Sequence, residues 1–489
     1  MGCQSRGGTV EVRLAPAASR NDQPWRARPS KVKGLLMATV GFVSIMTASP
    51  AFSETLREAL AKTYQTNPTL LGQRAALRAT DENVPQALSG WRPTVSANGS
   101  YGYSDTKSRL RNSAGGGTQR FSTDPGNFNI GLDQPIFNGF QTVNNTRQAE
   151  SNVQAGRAQL AGTEQSVLFS AVQAFMFVIR DRRILDLQRK NVQVLQEQLR
   201  STNARFEVGD NTRTDVAQSQ ARLAESQSNL STAEANLAIS VGDYIQIVGQ
   251  APGSLTFPDT ASKLAPDTID RAIQVAEGNN PNVINAEFLE KAQGYQVEVL
   301  KGVLMPTVSL SADYYYSSNN SVTAIRTDQV QVLGNLQIPL YQGGGEYANV
   351  RQAKQTRNQL QMQIVETRRS VREVVVQAWN QLVSARETIV SAREQVRAQQ
   401  LAYEGVRLEA EAGTRTTLDV LNAESELVRA QVLVVQAEVN TVVASYALVS
   451  AVGRLNAMDL KLPVQIYDPS IYYNKVRNLW FGLDTPSAE

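Results

Sequence analysis

The chain has 489 residues, no histidine, one cysteine (Cys3), 19% charged residues and a formal charge of +3. Without histidine there can be no Ser-His-Asp or Cys-His catalysis and no imidazole metal site. A lone cysteine excludes an internal disulfide, a zinc ribbon or an iron–sulfur cluster, so only carboxylate, lysine or backbone chemistry survives among enzymes.

Residues 1–53 form an N-terminal extension and signal peptide. Lys31 and Lys33 precede the uncharged apolar stretch 34–46, and small residues follow up to Ser53. A basic flank, a short apolar core and an Ala-x-Ser end make an export signal too short to span a bilayer as a mature helix. Cys3 lies upstream of the apolar core and cannot be a lipid-acceptor cysteine. The segment carries seven Lys/Arg against Glu11 and Asp22, so its removal leaves a chain of about −2. The basic balance that would suit nucleic acid belongs to the leader. Beyond it, no further apolar run of about 18 residues is expected.

The remainder is written twice. Asn67-Pro68 recurs as Asn280-Pro281, and Pro93-Thr-Val-Ser96 as Pro306-Thr-Val-Ser309, at an offset of 213. Pro135 with Pro339, Gly209 with Gly413, and Asp215-Val216 with Asp419-Val420 match at an offset of 204. The first copy therefore holds about nine extra residues around Gly115-Gly-Gly117, read as a surface loop. The repeats are 54–255 and 267–456, joined by a linker at 256–266 and followed by a tail at 457–489. Each repeat predicts one helix (54–90; 267–301), two strands (about 93–105 and 127–137; about 306–317 and 328–340) and a long helical hairpin. The hairpins turn at about Gly209 and Gly413, where glycine suits a left-handed C-cap and Thr, Asn or Asp caps the returning helix. Their descending arms of about 65 residues would be about 100 Å long. Val216, Leu223, Leu230, Leu237 and Tyr244 lie seven apart, as do Val420, Leu427, Val434, Thr441 and Leu448, which implies coiled-coil packing. The hairpins alone would also suit an exported coiled-coil scaffold without a pore.

The strands point elsewhere. Val95, Ala97, Tyr101 and Tyr103 alternate with Ser96, Asn98 and Ser100; Val308, Leu310, Ala312, Tyr314 and Tyr316 alternate with Thr307, Ser309, Ser311 and Asp313. Exported segments of about ten residues with this pattern fit transmembrane β-barrel strands. Four strands leave open edges, which hydrocarbon does not permit. Several copies must close the barrel: two copies fill the lumen with side chains, whereas three leave a passage.

This layout resembles the TolC family of outer-membrane channel-tunnels over nearly all the chain after the leader. The most specific stretch is Gly413-Thr-Arg-Thr-Thr-Leu-Asp-Val-Leu-Asn422, close to the family's entrance motif; the tail Tyr467-Asp-Pro-Ser-Ile-Tyr-Tyr473, ending in Trp480-Phe-Gly482, looks like that of α-proteobacterial members. The resemblance implies a mixed α and β membrane protein: a homotrimer with a 12-stranded transmembrane β-barrel, four strands per chain, continued by a long periplasmic α-helical barrel. It implies a Gram-negative outer-membrane location, docking on a periplasmic adaptor protein and an inner-membrane pump, and passive efflux of toxic compounds. It implies no catalysis, no cofactor, no metal and no nucleic acid. The exit duct of type I protein secretion is the alternative within the same fold. Carried over position by position, Arg415 and Asp215, with Thr214, match groups that link neighbouring hairpins and shut the entrance. Asp419 matches an acidic constriction ring, while Asn422 stands where a second Asp is usual and Ala410 where a tyrosine is. Gly209, Asn211, Thr212, Gly413 and Thr416 fall at the tips where adaptors dock. Read from the residues alone, Arg415 and Asp419 could instead be an ordinary i,i+4 pair, and Glu409 and Glu411 a solvated helix face.

Overall fold

A computed structural model describes residues 53–110, 117–320 and 324–486. Most of the expected signal peptide, with Cys3, lies outside them. The described residues start with three short helices, α1 (Leu56–Thr66), α2 (Pro68–Asp81) and α3 (Asn83–Leu88), where a single helix is expected from sequence. The break between α1 and α2 has a local cause. Asn67 is extended (ψ 122°), its side chain accepts from the Thr69 and Leu70 N–H groups, and Pro68 opens the next helix without needing a donor.

Strand β1 (Thr94–Tyr101) follows, then a hairpin of β2 (Ser104–Leu110) and β3 (Gly117–Thr123), then β4 (Gly126–Asn138). One expectation is corrected here. The first strand stops at Tyr101, where the Gly102 N–H donates to Pro125 O (3.1 Å), and the segments flanking the expected loop pair as a two-stranded ribbon, while Gly115 and Gly116 lie outside the described residues. Arg120 of β3 donates to Asp105 of β2 across the ribbon, and alternating Thr, Ser and Phe residues supply its β propensity.

Helix α4 (Gln141–Glu207) descends for 67 residues and α5 (Arg213–Val248) returns. The second copy repeats this with α6 (Ile269–Asn279), α7 (Pro281–Gly302), β5 (Thr307–Ser318), β6 (Arg326–Gln337), α8 (Gly345–Glu411, again 67 residues) and α9 (Thr417–Ala451). Asn280-Pro281 breaks the helix as Asn67-Pro68 does. At 1.5 Å per residue α4 and α8 are each about 100 Å long.

The four long strands form one antiparallel sheet in the order β1-β4-β5-β6. Its register puts Val95, Leu132, Ala312 and Val332 across one row, and Ala97, Ile130, Tyr314 and Val330 across the next. The opposite face carries Asn98, Asn129 and Tyr315, with Gly131 and Asp313 beside them. One face is apolar and the other polar, and among the described residues both edges, β1 and β6, lack a partner within the chain. A β-bulge between Pro135 and Phe137 turns β4 toward the helices. There the backbone reverses through Gly139 (φ 63°), and a Cβ on Gly302 would collide with the Gly139 carbonyl oxygen, so two main chains cross with no room for a side chain.

The two larger of three apolar cores sit where the short helices meet the long ones. One gathers Leu60, Leu70, Phe175, Met176, Tyr244 and Leu455; the other Ala272, Val283, Val375, Leu382 and Leu448. Parts of α4 and α9 are apolar enough by composition to cross a membrane, contrary to the sequence expectation, and about half of each such window is buried in this packing. Along α5, Ser219, Ser226, Ala233 and Ser240 are buried, again seven apart, and Tyr244 and Val248 are buried near its end. The first four alternate with Val216, Leu223, Leu230 and Leu237, so the coiled-coil seam has one large and one small half. Small residues let α4 approach, and Asn191 donates to the Ser226 hydroxyl (3.0 Å). Past α9 the chain threads the first core and forms α10 (Pro469–Val476) against α2.

Candidate entrance gate at the hairpin tips

The two hairpins end in the same construction. α4 closes at Gly209 (φ 85°), with the Gly209 N–H donating to Phe206 O (3.0 Å) and the Asp210 N–H to Arg205 O (2.9 Å). α8 closes at Gly413 (φ 79°), with the Gly413 N–H donating to Ala410 O (3.1 Å) and the Thr414 N–H to Glu409 O (2.9 Å). The left-handed backbone is what glycine permits and other residues resist. The returning helix then starts on a threonine. The Thr212 hydroxyl accepts from the Asp215 N–H (3.3 Å), and the Asp215 carboxylate accepts from the Thr212 N–H (2.9 Å) and hydroxyl (2.7 Å). Thr416 and Asp419 repeat this at 3.2, 3.0 and 2.8 Å. These are capping boxes. The Thr212 hydroxyl and N–H hold the Asp215 carboxyl below the usual carboxylate range, and the Thr416 N–H and hydroxyl do the same for Asp419.

The sequence-derived site residues divide accordingly. Gly209, Asn211, Thr212, Gly413 and Thr416 are in the turns and Thr214 is exposed on the first turn of α5. Arg415 pairs with Glu409 of its own hairpin (2.8 Å). Among the described residues no ion pair joins Arg415 to Asp215 or Asp419 within the chain. Asn422 is brought to the other hairpin: its side-chain oxygen accepts from Arg222 Nη2 (2.9 Å), while Arg222 Nη1 donates to Glu225 (2.9 Å). Three residues of this region escape sequence reading. Glu409 was readable only as a solvated charge. Arg222 follows Asp215 by seven positions, which puts it on the same helix face two turns on. Glu424, two residues after Asn422, is 6% exposed, and burial pushes its carboxyl up to about 7.

A one-sided apolar sheet mounted on two helical hairpins, each with a 67-residue descending helix and tips capped alike, is the fold of a channel-tunnel. The chain belongs to the outer membrane efflux protein family, whose profile matches residues 59–250 and 272–454. It is 38% identical over 446 residues to the outer membrane efflux protein BepC of Brucella suis biovar 1 (strain 1330), covering 91% of this chain and 95% of that one. It is 25% identical over 422 residues to the outer membrane protein TolC of Vibrio cholerae serotype O1, covering 84% and 94%. The outer membrane channel CmeC of Campylobacter jejuni superposes with a TM-score of 0.73 at 16% identity, over 86% of this chain and 89% of that one. The protein is an outer-membrane efflux protein of a Gram-negative bacterium, and its family is one of efflux channels, not of enzymes.

Proposed function

We propose that three copies of the chain close into a passive duct whose periplasmic end is shut by contacts between hairpin tips. The observation that carries this reading is the pair of open edges, β1 and β6, on a sheet with one apolar face. In lipid those edges must be paired, and three copies give twelve strands, enough to leave a lumen. The polar face with Asn98, Asn129 and Tyr315 then lines the lumen, and the apolar face meets lipid.

At the other end, Arg222 and Asn422 tie the two hairpins of one chain. Asp215 and Arg415 supply charge for ties between chains, and three copies of Asp419 make a carboxylate ring that favours cations. The ring below it is neutral, because Asn422 carries no charge. Gly209, Asn211, Thr212, Gly413 and Thr416 form the surface that a periplasmic adaptor grips, and an inner-membrane pump supplies the energy that the duct lacks. Purified protein in a planar bilayer should give cation-preferring channels that open rarely. A deletion strain should become sensitive to bile salts, dyes and antibiotics with its secreted proteins unchanged. Lost secretion with unchanged sensitivity would assign the duct to protein export, and no channels at all would remove the reading.

A further inference from the structure

The C-terminal tail ends in a way that neither core nor gate uses. After threading the first core, where Leu455, Ala457 and Leu462 are buried, the chain is pinned to the helices at successive points. The Tyr467 N–H donates to the Tyr64 hydroxyl (3.1 Å), and the Tyr472 hydroxyl donates to Glu82 (2.7 Å). Tyr473 lies under the Arg157 guanidinium, and Arg477 donates to Glu150 (3.1 Å). Tyr472 and Val476 face inward and are buried. The last hold is Arg92, two residues before β1 begins. Its Nη1 donates to Leu479 O (2.8 Å), and its guanidinium stands 4.9 Å from the centre of a Trp480 ring. The tail is thus led along α2 and α4 to the foot of the barrel.

Beyond that hold the pattern inverts. Trp480 is 60% exposed, Phe481 87%, and Leu483 completely, with no charge between Leu479 and Asp484. The side on which they emerge is set by Gln134. It shares the apolar face of β4 with Phe128, Ile130 and Leu132, and its amide donates to Trp91 O (2.9 Å), next to Arg92. Trp480, held by Arg92, therefore emerges at the lower margin of the sheet's apolar face, where Trp91 is also exposed, and Gly482 and Leu483 follow beside a groove bordered by Ala75, Arg78 and Ala79 of α2. Tryptophan beside a cation at the edge of an apolar band is the composition of a membrane–water interface.

We propose that residues 479–483 lie in the periplasmic leaflet of the outer membrane. This is a lipid contact separate from the strands, with Trp480, Phe481 and Leu483 among the upper acyl carbons of glycerophospholipid and Arg92 at the phosphates. The helical tunnel is then fastened to the membrane through its own tail as well as through the barrel. The test uses the full chain with Trp480 as its sole tryptophan (Trp25→Phe, Trp91→Phe, Trp379→Phe), in phosphatidylcholine vesicles whose acyl chains are brominated near the headgroup or near the methyl end. Trp480 emission should be quenched several-fold more strongly by the shallow bromines than by the deep ones, and Phe481→Ser with Leu483→Ser should weaken that quenching. Red-shifted emission indifferent to bromine would overturn the proposal by leaving the tail in water. Blue-shifted, unquenched emission would overturn it in favour of a neighbouring copy. Should the tryptophan replacements impair folding, a nitroxide on Leu483→Cys reads the same point: oxygen access must exceed that of a polar nickel chelate, and the reverse order refutes the contact.

Discussion

The link between Arg222 and Asn422 joins the two hairpins of one chain close above their tips, and Arg222→Ala would cut it. The bond is charge-assisted on one side, but the Arg222 side chain is 31% exposed and shared with Glu225. Its net worth is then about 1 kcal/mol, below the range for a fully buried charged hydrogen bond. One kcal/mol shifts an opening equilibrium about fivefold, and three copies breaking together would shift it on the order of 150-fold. Single-channel recording should therefore show a marked rise in open time or conductance for Arg222→Ala, and cells should admit large antibiotics. Asn422→Asp should act in the opposite sense, because it turns the hydrogen bond into an ion pair and lowers the open fraction. The reasoning fails if Arg222→Ala and Asn422→Asp both leave conductance and antibiotic entry at the parental level.

The capping boxes give Asp215 two roles that mutation can separate. Thr212→Ala removes the cap but keeps the charge and should cost about 1 kcal/mol in hairpin stability; Asp215→Asn keeps most of the cap and removes the charge. Greater leakage from Asp215→Asn than from Thr212→Ala identifies a charge-based tie, and the reverse order identifies fraying of the tip. Glu424 has its carboxyl raised from 4.5 to about 7 by burial. Between those values the folded state holds more protons than the unfolded one, so stability falls as pH rises through this window. The difference is worth on the order of 3 kcal/mol per chain above it. Glu424→Gln should raise the melting temperature at pH 8 and leave it unchanged near pH 4, with equal shifts at both pH values counting against the assignment. Finally, Gly302→Val should abolish assembled protein in the outer membrane, as followed on gels without boiling, since its side chain meets the Gly139 backbone where nothing can retreat.

The repeat was legible because duplication preserves spacing: α4 and α8 have the same length, and Gly209 and Gly413 close them at the same offset. Alternation in β1 and β5 revealed a two-faced sheet for the same local reason. The break at Asn67-Pro68 was present as a repeated word, and its meaning as a cap and a fresh start lies in backbone angles that a count of apolar residues does not register. Ser219, Ser226 and Ser240 escaped because serine carries no hydrophobic signal, although its small volume is what lets α4 come close. The β2–β3 ribbon escaped because glycines outweighed a short polar alternation. The partners of Arg222 and Arg415 depend on where chain segments lie in space. Arg222 reaches a residue 200 positions away, and Arg415 turns back across its glycine turn to Glu409. No spacing within one helix encodes either choice.

The equal length of α4 and α8 makes the duct a ruler with four marked sides. Removing one heptad from α4 alone would raise its tip by about 10 Å and strand Arg222 far from Asn422. To shorten the tube without misaligning its mouth, matched deletions must fall in α4, α5, α8 and α9 at once. A single insertion or deletion in one helix therefore misaligns the tips, whereas the β2–β3 ribbon, which has no counterpart among the described residues of the second copy, adds length without disturbing them. Reach across the periplasm is in this way locked by the gene's own symmetry, and the outer surface is left as the part free to diverge.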